Sequence, residues 1–400
     1  MKARNLILII TSIFLCSCEA GDFFISDAGD MKDFSDGPSE GEGGADSEGN
    51  GNSLAGVVTA GEWNDLDHWG FWNDLMYGQN AGELISHLHY WSMYPHCRFA
   101  VTVTDENQKP VCGAKVELFR DGSDTPVWAA VSDNRGSAEL WDLTHSDTII
   151  EEERNYTISI NGKTCQEVPQ ATFSHTEICM NNLTAKKTEV RKRADIAFIV
   201  DATGSMYDEI DFLKDDLLDI IQKAEAASNG IKLRTAALFY RDEGDDYVTR
   251  YDNFTTKPES TLKFIKKQEA DGGGDYPEAV HTALETALQS LSWEEDNYTR
   301  IAFLLLDAPP HHEEEIIGSI HKSIKMYAGK GIKIIPIAAS GVDKNTEFLL
   351  RLMAIFTDGT YTFITDHSGV GNNHLTPTVG EYKVELLNEL IIRLIGEYTE

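Results

Sequence analysis

Residues 194–205 read ADIAFIVDATGS. The run up to Val200 is apolar without alternation, the pattern of a strand buried on both faces. Residues 208–227 follow with Ile210, Leu213, Leu217, Ile220 and Ile221 on one helical face. The same grammar repeats downstream. Strands are predicted at 233–240, 301–306, 332–338 and 361–364, and helices at 258–268, 279–291, 316–327, 346–356 and 384–395. Apolar strands alternating with helices imply a doubly wound α/β fold, a mostly parallel sheet covered on both faces.

In an open α/β sheet, ligands sit beyond the carboxyl ends of the strands. The first strand ends in Asp201-Ala202-Thr203-Gly204-Ser205, and the strand at 301–306 runs into Asp307. Between them lies Asp271-Gly272-Gly273-Gly274-Asp275-Tyr276-Pro277-Glu278, just before a helix. These loops bring hard oxygen donors to one rim, a donor set suited to Mg²⁺ or another divalent cation such as Mn²⁺ or Ca²⁺.

On these motifs residues 194–400 resemble the von Willebrand factor type A family, whose cation site opens with Asp-x-Ser/Thr-x-Ser after the first strand. The resemblance implies a Rossmann-like fold and a protein partner held through a metal-ion-dependent adhesion site. It implies Thr203 and Ser205 as direct ligands, with Asp201 and Asp307 acting mainly through water. The family's second loop usually supplies Thr; here the nearest equivalent is Asp275. With Asp201, Asp275 and Asp307 all ionised around a divalent cation, the site keeps one net negative charge. That favours cation retention and weakens the pull on an anionic ligand group. The alternative for Asp275 is a cap on the following helix. His311 and His312 follow Asp307 at the same rim, where a solvated loop is the default, as an acidic turn is for Asp242. Glu313, Glu314 and Glu315 read as the start of the next helix, where negative charge suits the dipole. His374 receives no role.

Upstream the chain changes character. Lys2 and Arg4 precede a short apolar run, a secretory signal rather than a membrane span. Leu15-Cys16-Ser17-Cys18 resembles a bacterial lipoprotein box, which implies a signal peptide at 1–17 and lipidation of Cys18; an ordinary cleaved signal is the alternative. Residues 18–56 are rich in Gly, Ser, Asp and Glu, with Lys32 the sole basic residue, and read as an acidic disordered linker. Residues 57–95 are an aromatic-rich segment containing Trp63, Trp69, Phe71, Trp72, Tyr90 and Trp91. Residues 96–185 alternate short strands with turns and predict a small antiparallel β-sandwich. Within it, Lys109 to Val116 and Asp133 to Ala138 resemble carboxypeptidase-regulatory-like and transthyretin-like sandwiches. Cys97, Cys112, Cys165 and Cys179 all fall there. An even count in an exported chain suggests disulfides, with three connectivities open. His96, His145 and His175 stand isolated.

The 400 residues carry 34 Lys and Arg against 66 Asp and Glu, a net charge of −32. That excludes phosphate-led nucleic-acid binding. Membrane contact is expected only through the lipid. The 41% hydrophobic content supports true cores. Catalytic motifs are missing: position 203 is Thr where a haloacid-dehalogenase-type enzyme needs Asp, and neither a Gly-rich Lys-Ser/Thr loop nor a Gly-x-Ser-x-Gly elbow occurs. The expectation is a non-enzymatic, lipid-anchored protein of the bacterial cell envelope, on the outer membrane. It would bind a protein partner through a divalent cation; a scaffold without functional metal and a metal-dependent hydrolase are the alternatives.

Overall fold

The structure, a computed structural model, describes residues 58–79, 81–145, 154–173, 178–227, 230–366 and 375–400. The lipidation box at Cys18, the acidic segment 18–56, His175 and His374 lie outside these residues. The described residues belong to one compact unit, Asn52–Glu400.

The unit opens with β1 (Thr59–Trp63), α1 (Trp69–Tyr77) and α2 (Ile85–Trp91). A β-rich region follows: β2 (Cys97–Thr104), β3 (Lys115–Arg120), β4 (Trp128–Val131), β5 (Ser137–Asp142), β6 (Tyr156–Ile160), β7 (Lys163–Thr164), β8 (Thr172–Phe173) and β9 (Met180–Thr184). The α/β part then runs β10 (Arg191–Asp201), α3 (Tyr207–Ala227), β11 (Lys232–Tyr240), β12 (Thr249–Thr255), α4 (Pro258–Ile265), α5 (Val280–Ser290) and β13 (Asn297–Leu306). It closes with α6 (Glu314–Gly329), β14 (Ile332–Ala338), α7 (Lys344–Phe356), β15 (Tyr361–Ile364), β16 (Glu385–Leu386) and α8 (Leu387–Glu397).

The large sheet has the order β12-β11-β10-β13-β14-β15-β1-β16. Its centre, β11 to β15, is parallel; β12, β1 and β16 pair antiparallel, so the sheet is mixed. Period-two geometry splits the apolar run of β10 between two cores. Ile196, Phe198 and Val200 pack with α3 and α8, whereas Ala197 and Ile199 join α5, α6 and α7. β13 divides likewise, Phe303 to one side and Leu304 to the other.

The aromatic-rich stretch 57–95 is part of this layer and not a separate piece. Its strand β1 pairs with β15, Ala60 opposite Ile364 and Trp63 opposite Tyr361. Behind it Arg351 of α7 is wholly buried, and Asp65 holds its guanidinium at 2.9 and 2.6 Å. The guanidinium stacks over Trp72 and Phe348 and donates to Thr378 O at 2.7 Å.

The β-rich region forms two four-stranded sheets, β4-β3-β6-β7 and one in which β2 carries β5 on one side and β8 and β9 on the other. They share a core of Phe99, Val101, Val116, Leu118 and Leu140. The region is not wholly antiparallel as expected: β9 runs parallel to β2, Ala100 opposite Met180. It packs on the α/β part where Trp128 and Trp141 meet Phe356 at 5.7 and 5.1 Å.

The cysteines depart from expectation. Cys97, Cys112 and Cys165 are free thiols, so the anticipated two-bridge framework is not formed. Apolar packing closes this core instead, and burial pushes the Cys97 and Cys112 thiols up to about 12. Since the thiolate is the reactive form, native protein at neutral pH should resist alkylation at Cys97. Mass spectrometry should find Cys97, Cys112 and Cys165 alkylated in denaturant without reductant; failure to label would mean they are bridged.

Asp65→Ala would strip the buried Arg351 charge of its hydrogen-bonded carboxylate and leave it Glu347 at 3.9 Å, a loss of about 3–5 kcal/mol measurable by urea denaturation. A loss below about 1 kcal/mol would show that β1 is not anchored by this pair.

Candidate cation-binding rim

β10 and β13 run parallel and in register, Val200 opposite Leu305, so Asp201 and Asp307 emerge at neighbouring strand ends. Asp201 is fully buried. Its Oδ1 accepts from the Thr203 N–H at 2.9 Å and from the Thr203 hydroxyl at 2.7 Å. This local turn, typical of an Asp two residues before a hydroxyl, sets Thr203 Oγ1 3.5 Å from Ser205 Oγ. Thr203 is buried and Ser205 exposed. Tyr240, opposite Asp201 at the end of β11, is wholly buried alongside.

The glycine loop is laced across these ends. Asp271 N–H donates to Ala202 O at 3.1 Å and Gly204 N–H to Gly272 O at 3.3 Å. Gly272 and Gly273 have φ of +80° and +73°, a region that favours glycine. Space adds a second demand. A Cβ on Gly272 would stand 2.6 Å from the Asp245 carboxylate. A Cβ on Gly273 would meet Glu278 Oε1 at 3.2 Å and Thr203 Cβ at 3.3 Å. Asp245 accepts the Gly273 N–H at 3.0 Å and steadies the arch.

The acid buried in this loop is Glu278, which sequence reading passed over. It is 3% exposed. Its N–H donates to Pro309 O at 2.8 Å and its backbone bridges to Pro310, fixing it to the segment that follows Asp307. Asp275 is solvent-exposed. It does not cap α5, whose preceding residue is Ala279 with no side-chain cap. The signal for Glu278 was its place in Pro277-Glu278, but an acid at a helix start has an ordinary explanation in the helix dipole.

Asp307 Oδ1 and Glu278 Oε2 are buried without a hydrogen-bond partner, and the buried Asp201 carboxylate faces the buried Tyr240 hydroxyl. Among the described residues no basic side chain pairs with these three acids. The buried Arg241 donates instead to Ala202 O and Glu269 O. Burial, then the neighbouring Asp307, pushes the Asp201 carboxyl up to about 7. Burial, then Asp201, Asp242, Asp245 and Asp307, pushes Glu278 up to about 9. Burial raises Asp307 too, against the Ser205 hydroxyl. Among the described residues no three His, Cys, Asp or Glu side chains form a ready cage. The donors here are two hydroxyls and several carboxylates, a mixed all-oxygen set. With unpartnered buried oxygens and no counter-charge, these residues fit a small hard divalent cation.

The other rim candidates have structural partners. His311 Nε2 lies 2.8 Å from Asp242 Oδ1, so the two are paired rather than solvated. His312 stacks on Tyr90 at 3.7 Å and its Nε2 lies 2.7 Å from Tyr90 O, bringing α2 to the rim. Glu313 precedes α6, and Glu314 and Glu315 form its first turn. The Tyr276 hydroxyl donates to Gly341 O and accepts from the Asp343 N–H, which fixes its exposed ring.

An α/β sheet whose first parallel strand ends in Asp-x-Thr-x-Ser defines a class of domain, and comparison with known proteins agrees. Residues 195–369 match the family model of the von Willebrand factor A domain; this part of the chain is such a domain. The chain is 26% identical over 199 residues to the human collagen alpha-6(VI) chain, 48% of this chain and 8% of that one. It is 26% identical over 171 residues to the alpha-protein kinase vwkA of Dictyostelium discoideum, 42% of this chain and 26% of that one. A putative ariadne-like RING finger protein of Acanthamoeba polyphaga mimivirus is 32% identical over 135 residues, 34% of this chain and 13% of that one. The chain thus spans at most about a quarter of the length of these relatives.

The raised carboxyls set a pH dependence. Cation-free folded protein keeps protons on Asp201 and Glu278 that the unfolded chain releases near 3.8 and 4.5. Its stability therefore falls as pH rises from that range through about 7 and about 9. With chelator, the urea midpoint should decline across this window, and less steeply in Asp201→Asn. Equal slopes would contradict the assigned burial.

Proposed function

We propose that this chain is a lipid-anchored protein of the bacterial cell envelope, tethered at Cys18 on the outer membrane. In this reading its von Willebrand factor A domain binds a protein partner through a divalent cation, Mg²⁺ above all. Asp201, Thr203, Ser205 and Asp307 hold the cation, with a further acid from the glycine loop. The observation that carries the reading is the set of buried carboxylates beside Thr203 and Ser205 that meet no basic counter-ion among the described residues, two of them with an unpartnered oxygen. Such a set is costly unless a cation completes it.

A bound divalent cation supplies an open coordination position for an oxygen atom of the partner. The chain's own residues do the rest. Asp201 fixes Thr203 by accepting its N–H and its hydroxyl on one oxygen, and its second oxygen is buried beside the Tyr240 hydroxyl. The Gly272–Gly273 arch brings backbone where a side chain would not fit. Tyr207, Tyr276 and Tyr90 leave exposed ring surface on residues near the strand ends for a partner to cover. Aromatic side chains are enriched in such contacts. The module is read as binding without catalysis, since Asp201 is committed to orienting Thr203 and no second acid stands at position 203.

Thermal unfolding tests the cation. Mg²⁺ at a hundred times its dissociation constant should add about 2.7 kcal/mol to the parent protein and nothing to Asp201→Ala. An equal Mg²⁺-dependent rise in both would remove the site, and no rise in either would favour a scaffold. Radiolabelled fatty acid should be incorporated by the parent in a bacterial host and not by Cys18→Ser.

A further inference from the structure

We propose that the outer edge of β12 pairs with β12 of a second copy of this chain, antiparallel about a two-fold axis at Tyr251, and so makes the protein a homodimer. The pairing stands apart from the cation site and does not depend on it.

The large sheet ends on one side in β16, which is only Glu385 and Leu386, and on the other in the seven residues of β12. Among the described residues no strand pairs with the far side of β12. Its backbone is set for one. The Arg241 N–H donates to Val248 O at 3.0 Å, and the same register places Phe239 opposite Arg250 and Ala237 opposite Asp252. In an antiparallel ladder, hydrogen-bonded pairs alternate with pairs whose N–H and C=O groups point away from each other. Val248, Arg250 and Asp252 therefore bond to β11, and Thr249 and Tyr251 present their backbone groups to the open edge. Such an edge is a template for another strand.

The side chains select the strand that fits. Edges that stay single often carry like charges, which repel a second copy. β12 instead carries Arg250 and Asp252, opposite in sign and two residues apart, hence on one face of the sheet. Neither makes an ion pair among the described residues. The Arg250 guanidinium lies over Tyr247 at 3.8 Å, which props it without neutralising it. In a strand pair centred on Tyr251, Arg250 of each copy stands opposite Asp252 of the other. Tyr251, 45% exposed, meets its own equivalent. This register makes Tyr251 a hydrogen-bonded pair, as its outward N–H and C=O require. One sequence thus yields two attractive cross-strand charge pairs. Further along, the acidic turn Glu243 to Asp246 of one copy comes alongside the exposed Lys257 of the other. The edge is therefore self-complementary although the chain as a whole carries −32. The β11 ladder shifts register beyond Asp252, which keeps the pairing short and the dimer weak and salt-sensitive. Across the joined sheet β11 and its equivalent run antiparallel, so the two carboxyl-end rims face opposite ways.

The test is sedimentation equilibrium of the full chain at low and high salt, every sample carrying Cys18→Ser so that no lipid drives assembly. The parent should show a reversible monomer–dimer equilibrium that weakens with salt. Arg250→Asp turns both charge pairs repulsive and should weaken dimerisation at least about tenfold. The swap Arg250→Asp with Asp252→Arg restores opposite charges and should return to within about threefold of the parent. Circular dichroism of the three should agree, because neither side chain lies in a core. Tyr251→Cys sets two thiols opposite each other, with Cα atoms about 5.5 Å apart, and mild oxidation should link the copies. A monomeric parent, a dimer indifferent to Arg250→Asp, or a loss that the swap does not rescue overturns the proposal. Should Arg250→Asp misfold, Tyr251→Cys decides: no intermolecular disulfide beyond that of the parent also overturns it.

Discussion

Arg351 is wholly buried, and Asp65, 286 residues earlier in the chain, accepts two hydrogen bonds from its guanidinium. A buried guanidinium must have its charge met. Glu347, one turn earlier on α7, lies 3.9 Å away, and Asp65 brings the opening segment against α7 to make the hydrogen-bonded pair. Once Asp65 is there, β1 can pair with β15, and Trp72 and Phe348 can cover the guanidinium. The von Willebrand factor A layer is thus completed from outside the stretch 195–369 matched by the family: β1 comes from before it, β16 and α8 from after it. The β-rich region occupies the interval between β1 and β10 and is clamped to the same side of the sheet by Trp128 and Trp141 on Phe356.

This architecture has a consequence at the opposite kind of position, the loops at the strand ends. Parallel pairing of β10 with β13 forces Asp201 and Asp307 together, and the bridge at Glu278 adds a third acid. Burial raises the Asp201, Asp307 and Glu278 carboxyls, and neighbouring like charges raise Asp201 and Glu278 further. The strands are rigid because both faces are packed, so the acids cannot move apart to relieve the repulsion. A cation-free rim is therefore held in an unfavourable arrangement by the cores beneath it.

How much of this was legible varies with the range of the interactions. The strand at 194–200 and the Asp201-x-Thr203-x-Ser205 turn are local features, and both are found as read. Glu278 carries no local mark, because nothing in the sequence distinguishes a helix-start acid in solvent from one folded under a glycine arch. Asp275 is closer to the family's pattern in sequence, yet it faces water. The cysteine count suggested bridges, but burial against Tyr156 and Tyr298 satisfies Cys97 and Cys112 as small apolar residues. His311 found Asp242 across 69 residues, a pairing that no spacing rule contains.

Taken alone, then, the sequence determined the α/β grammar, the order of the loops and the oxygen-rich chemistry of the first one. These depend on hydrophobic period and on hydrogen bonds two residues apart, which a single chain segment carries within itself. Only the tertiary structure decided that β1 closes the sheet, that Arg351 is answered by Asp65 and that the second-loop acid brought beside Asp201 and Asp307 is Glu278. Burial and charge pairing are properties of neighbours from distant segments. A carboxylate's environment is therefore settled only when the strands that surround it have come together.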